Sequence, residues 1–212
     1  MIPLGRHMPA FYQRFQESAR KFPDNIALEI QRQQSVERVT FAELTRMSES
    51  VANWLSTRVP RDARVAILAA NHPRWVAAYL GIIAAGRTAV PLDTAFQADQ
   101  VKTLLIDSGA SLLFCDVKHL PVAIEAVAGL NIALVMTSAA SERNPVQTNV
   151  SEPTIGDLDS IFAAGPAGFQ PPIPAEDDLG RCSTPPAPPP IPRVSCSPTP
   201  TSSARRTQCS PP

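Results

Sequence analysis

The chain has 212 residues, 44% of them apolar, with 19 basic side chains set against 19 acidic ones, which allows one ordinary domain, or a large part of one, with a core. The balanced charge excludes the basic field that nucleic acids or anionic membranes require, and no run approaches the roughly 20 apolar residues of a spanning helix. The first residues lack the charged, apolar and small-residue order of a secretory signal, so the expected location is cytoplasmic.

In chain order, Phe11, Phe15, Ala19 and Phe22 recur at helical spacing and predict a helix over Ala10–Phe22, stopped by Pro23 and Asp24. Ile26–Ile30 and Val36–Val39 pair as a short hairpin. Thr40 and Glu43 form a capping box at the head of a helix running to about Ser56 that buries Phe41, Leu44, Val51, Ala52 and Leu55. Arg64–Leu68 then reads as a short buried strand. Asn71 is the expected N-cap of a helix with Pro73 in its first turn, ending at Gly86. Thr88–Leu92 is a strand, Gln97–Ser108 a helix closed by Gly109, Ser111–Cys115 a strand, Leu120–Val127 a helix and Ile132–Met136 a strand. Strands alternating with helices predict an α/β fold, a parallel sheet with flanking helices joined by right-handed crossovers. The strands are continuous apolar runs, as burial on both faces demands. Beyond Thr137 the periodicity fades into loop, with one further helix expected at Ile155–Ala164.

The last stretch is of another kind. From Arg181 to Pro212 there is no Asp, Glu, Gly, Lys or aromatic residue, while ten of the 23 prolines and three of the four cysteines lie there. So little apolar bulk does not offset the entropy of ordering a backbone, which predicts a disordered Pro-rich tail over residues 180–212. The ordered part is expected at 10–179, with 136–179 mostly loop, after an N-terminal extension at 1–9.

No in-frame motif carries chemistry: no glycine-rich phosphate loop, no metal-ligand spacing, no nucleophile elbow. His7, His72 and His119 lie far apart, and His72 before Pro73 reads as a solvated turn residue. Cys115, within an apolar run, reads as a plain buried thiol. Cys182, Cys196 and Cys209 are 14 and 13 residues apart, without the paired spacing of a zinc site. The acidic Glu176-Asp177-Asp178 cluster reads as a solvated linker. No catalytic, cofactor-binding or metal-ligating residue is therefore assigned to any numbered position.

One resemblance is specific. Thr40–Leu55 (TFAELTRMSESVANWL), Arg64–Leu68 (RVAIL), Asn71-His-Pro-Arg-Trp75, Ala78–Leu92 (AYLGIIAAGRTAVPL) and Leu104–Cys115 (LLIDSGASLLFC) follow one another at spacings similar to those of the AMP-forming acyl-CoA synthetases, the adenylate-forming ligases. The resemblance covers about Phe11–Leu179 and is to that family's N-terminal subdomain. It implies a reaction in which a carboxylate attacks ATP to give an acyl adenylate and pyrophosphate, and the thiol of coenzyme A then displaces AMP. The implied partners of the intact enzyme are a fatty acid or other carboxylate, ATP with Mg²⁺, and coenzyme A. The implied phosphate loop is rich in Ser, Thr and Gly, so that backbone donors approach the phosphates closely, and ends near a lysine. In the family it follows a short acidic stretch such as Glu176–Leu179, where this chain has its proline tail. The resemblance also implies a second subdomain packed on the first. In its absence, an exposed apolar sheet face and a poorly soluble, dye-binding chain are expected.

The tail has a reading at the level of codons. If the original frame starts one base earlier, each original codon joins the third base of one present codon to the first two of the next. Across Ser183–Ser202 the permitted residues then include LYTSGTTADPKGVVLTHANL, with every required third base allowed by the residue that carries it. This is a phosphate loop of the implied kind in the implied place, and its ending leans toward fatty-acid members. The expectation is a fragment of a fatty acid–CoA ligase, shifted in frame near Gly180 and inactive as translated. The rival is an interaction protein presenting Pro185–Arg193 as a polyproline II ligand. A blander alternative is a standalone regulatory fragment.

Overall fold

The computed structural model describes residues 11–31, 35–138 and 154–171. The extension at 1–9, His7, the acidic cluster, the tail and its three cysteines lie outside the described residues.

The first helix, α1 (Phe11–Lys21), buries Tyr12 and Ala19, while Phe11 and Phe22 stay 63% and 44% exposed. Ala19 and Phe15 thus face the core as the spacing predicts, while Phe11 and Phe22 do not and Tyr12 is buried in their stead. Tyr12 and Phe15 pack ring to ring with centroids 5.8 Å apart, and Phe15 reaches Phe41 at 6.1 Å. Strands β1 (Ile26–Gln31) and β2 (Val36–Thr40) pair antiparallel as the predicted hairpin.

Helix α2 (Phe41–Ser56) starts at the predicted capping box. The Glu43 amide donates to Thr40 Oγ1 at 3.2 Å, and the Thr40 amide to Glu43 Oε2 at 2.8 Å. The Thr40 amide, and the Thr40 hydroxyl that donates to the same oxygen at 3.0 Å, hold the Glu43 carboxyl below its ordinary pKa, because they favour its charged form. Leu44, Val51, Ala52 and Leu55 are buried and Phe41 is half-buried.

Strand β3 (Arg64–Leu68) leads to α3 (Pro73–Ala84), then β4 (Thr88–Pro91), α4 (Ala98–Ser108), β5 (Ala110–Cys115), α5 (Leu120–Val127) and β6 (Ala133–Met136). The N-cap of α3 is His72, one residue beyond the predicted Asn71. Pro73 at the first helical position leaves the residue before it to cap, and His72 Nδ1 accepts from the Arg74 amide at 3.1 Å. Helix α4 ends where predicted, since Gly109 takes the left-handed conformation (φ +63°) that closes it at little steric cost. The span expected to be a helix from Ile155 divides into strand β7 (Thr154–Asp157) and helix α6 (Leu158–Ala164). Asp157 makes the division, its side chain capping α6 by accepting from the Ser160 amide at 2.9 Å.

Five strands, all parallel, run in the order β4-β3-β5-β6-β7. Alternate residues point to opposite faces of the sheet. Val65, Ile67, Leu112, Phe114 and Val135 join α1, α2, α3 and α6 in one core; Ala66, Leu68, Leu113, Cys115, Leu134 and Met136 join α4 and α5 in the other. The chain's own helices therefore cover both faces, which corrects the expectation of an exposed apolar sheet face.

Two buried acids set an alkaline limit. Burial raises the Tyr12 phenol to about 12 from an ordinary 10, and its hydroxyl lies beside Ser48 and Glu49 without a well-formed hydrogen bond. Burial, with Asp116 adjacent, raises the Cys115 thiol to about 12 from an ordinary 9. Unfolded, both groups release protons at lower pH than they do folded, so stability is full below pH ~9 and falls as pH rises toward 12. At about 1.4 kcal/mol per pH unit for each group, several kcal/mol are lost across that window. Chemical unfolding followed from pH 8 to 11.5 is expected to show the fall, and Cys115→Ala to make it shallower.

Candidate functional site at the carboxyl ends of the strands

The chain leaves β3 for β4 on one side and returns to β5 on the other, so the strand order reverses between β3 and β5. Loops diverge at such a point and open a crevice at the carboxyl ends of the strands, where open α/β sheets bind ligands. A cleft of about 240 Å³ lies there, lined among others by Ala70, Asn71, His72, Arg74, Asp116 and Lys118.

Asp116, directly after β5, bridges the reversal. Its Oδ2 accepts from the Ala70 amide at 2.8 Å. Its Oδ1 accepts from the His119 amide at 2.9 Å and lies 2.6 Å from His119 Nδ1. The loop after β6 is tied in as well: the Thr137 amide donates to the Cys115 carbonyl at 2.8 Å, and the Val117 amide to Ser138 Oγ at 2.9 Å. Three strand ends are thereby fixed to one another.

Replacing Asp116 with Ala takes the acceptor from the exposed Ala70 amide and from the part-buried His119 amide, at a cost of about 1 kcal/mol. Asp116→Asn keeps one acceptor and is expected to lose less. Urea midpoints of the two variants check the order; equal loss would show that the retained acceptor contributes nothing.

The charges of the cleft are unevenly committed. Arg74 is half-buried, pairs with Asp159 of α6, donates to the Thr137 carbonyl at 3.4 Å and lies 5.5 Å from the Phe162 ring centroid. It holds α6 over the sheet and is not free to meet a ligand. Lys118 and Asn71 are exposed. The cleft thus offers an ammonium and an amide to an incoming anion.

His72 caps α3. His119 is buried against Asp116, a pair that orders the loop after β5. Cys115 is buried, its sulfur 3.8 Å from that of Met136. No group of three metal-ligating side chains exists among the described residues, and none of their helices is long and apolar enough to cross a membrane. Nor do the described residues contain a Ser-, Thr- and Gly-rich loop ending in lysine that would hold nucleotide phosphates. Sequence reasoning passed over Asp116 and Lys118. Their signal was a polar cluster, Asp116 to His119, directly after an apolar strand.

An open parallel sheet with helices on both faces and a cleft at its order reversal defines a ligand-binding α/β unit. The model of the AMP-binding enzyme family matches residues 15–182, and the chain belongs to that family of AMP-forming, adenylating ligases. It is 35% identical over 111 residues to tyrocidine synthase 3 of Brevibacillus parabrevis, covering 52% of this chain and 2% of that protein. An acyl-CoA synthetase of Brucella canis superposes with a TM-score of 0.57 and 27% identity, over 70% of this chain and 26% of that one. Coronafacic acid ligase of Pectobacterium brasiliense superposes at 0.65 and 16%, over 77% of this chain and 31% of that one, a likeness of fold. The chain thus spans less than a third of each of these relatives.

Proposed function

We propose that this chain is the N-terminal part of a cytoplasmic ligase that activates a fatty acid as its acyl adenylate and transfers the acyl group to coenzyme A, and that its reading frame shifts near Gly180. The observation that carries this reading is the coincidence of two boundaries. The family match runs from 15 to 182, and the codon-shifted phosphate loop begins with Ser183. In the shifted frame the small residues of that loop would bring backbone donors to the phosphates and its lysine would supply charge, and a bound Mg²⁺ would add charge for the phosphates. As translated, the chain lacks that loop and is inactive. No residue of the described part is assigned a catalytic role.

The likeness to an acyl-CoA synthetase at 27% identity supports the acyl-CoA class, and the LTHANL ending of the shifted loop supports fatty acids within it. The substrate is tested on the frame-restored enzyme with straight-chain acids of short, medium and long chain, aromatic acids and amino acids. The expected result is the highest kcat/KM on a straight-chain acid. A preference for an aromatic acid or an amino acid would remove the fatty-acid assignment and keep the family.

A further inference from the structure

Helix α1 is lightly held. Of its eleven residues only Tyr12 and Ala19 are buried, whereas α3 buries seven of twelve. An element with so little buried surface is the kind that opens locally while the rest of a fold stays closed. One of its two burials also works against it. The Tyr12 side chain is almost wholly buried, yet its hydroxyl has no well-formed hydrogen bond. A buried hydroxyl without a partner destabilises the contact that buries it. Beside that hydroxyl, on α2, stand Ser48 and the half-buried Glu49.

From α1, Glu49 is faced by Gln16, Tyr12 and Arg20. Arg20 is exposed, so water and salt screen its attraction for the carboxylate. Burial outweighs all three and raises the Glu49 carboxyl above its ordinary 4.5. With α1 undocked, Glu49 returns to water and to that ordinary value, so the docked state holds the proton more tightly. This contribution to docking is full below the ordinary value and falls as pH rises through the docked one. We propose that α1 is a proton-sensitive latch: it opens from α2 and α3 as a unit while the sheet stays folded, and it closes more tightly when Glu49, packed against Tyr12, carries a proton. Opening parts Phe15 from Phe41 and Phe11 from Tyr79, and bares the stretches of α2 and α3 that those rings cover.

Native-state hydrogen exchange of the chain as given, at pH 5 and pH 8 and corrected for intrinsic rates, tests the latch. The amides of Phe15–Lys21 are expected to exchange through an opening that leaves β3 and β5 protected, and that opening is expected to be at least roughly twofold rarer at pH 5. Glu49→Gln keeps the shape of the side chain and does not ionise. It is expected to remove the difference between the two pH values. Tyr12→Phe deletes the unpartnered hydroxyl and is expected to slow the exchange of α1 at both. Exchange of α1 only together with β3 and β5 overturns the proposal. So does an absent or reversed response to pH in the unmutated chain, or a response that survives in Glu49→Gln. Equal or faster exchange of α1 in Tyr12→Phe would show that the hydroxyl finds a partner in the docked state, and overturns it as well.

Discussion

The chain as translated is expected to show no carboxylate-dependent exchange of pyrophosphate into ATP with any fatty acid, and restoring one base near Gly180, with the downstream gene intact, is expected to bring that exchange back. Exchange requires donors and positive charge converging on three phosphates in fixed geometry. The described residues offer Lys118 and Asn71 at the strand ends and no phosphate loop. Arg74, the other cation of the cleft, is held by Asp159 and the Thr137 carbonyl. The expected change is therefore from background to a readily measured rate. Exchange by the unrepaired chain would refute the claim that it is inactive. A repaired, folded protein that stays silent with straight-chain, aromatic and amino acids would refute the ligase reading.

Gly81→Ala is expected to destabilise the fold by about 2 kcal/mol, and Gly81→Val by clearly more. Gly81 lies where α3 crosses α2. A Cβ there would stand 2.6 Å from Val51 Cβ and 2.7 Å from the Ser48 carbonyl oxygen, too close for either backbone to absorb without moving. Overpacking of this kind costs ~1–3 kcal/mol and at times more, and the better helix propensity of Ala returns only about 1 kcal/mol. The Ala variant should melt roughly 5–8 °C lower. Gly129→Ala is the comparison: nothing lies within 4 Å of a Cβ there, and the only strain comes from its φ of +78°, so a smaller loss is expected, about 1 kcal/mol. Equal losses at the two positions would show that the α2–α3 crossing has room to spare.

The sheet was legible because its strands are buried on both faces. Val65–Leu68 and Leu112–Cys115 are unbroken apolar runs, and the strands that contain them, Arg64–Leu68 and Ala110–Cys115, each lie within one residue of the predicted span. Strand β7 was not legible: four residues containing a glycine and ending in Asp157 make no such run, and their strand character comes from pairing with β6. The inward face of α1 was legible at Phe15 and Ala19 but not at its start, where Phe11 finds Tyr79 and solvent instead of the core, which Tyr12 enters. The expected open sheet face failed on a matter of arrangement. Sequence spacing places helices between strands, but only the strand order divides them into α1, α2, α3 and α6 on one side and α4 and α5 on the other. Asp116 escaped notice for a related reason. A lone carboxylate after a strand acquires meaning only when β3 and β5 become neighbours and Ala70 comes within 2.8 Å.

The claim that most needs testing is that the chain is the front of an adenylate-forming ligase read out of frame from about Gly180. The nucleotide sequence from Glu176 to the stop codon tests it directly. The frame one base back is expected to spell LYTSGTTADPKGVVLTHANL across Ser183–Ser202 and to remain open for several hundred further codons. A stop codon in that frame within the tail, or third bases that spell a different string, would contradict it.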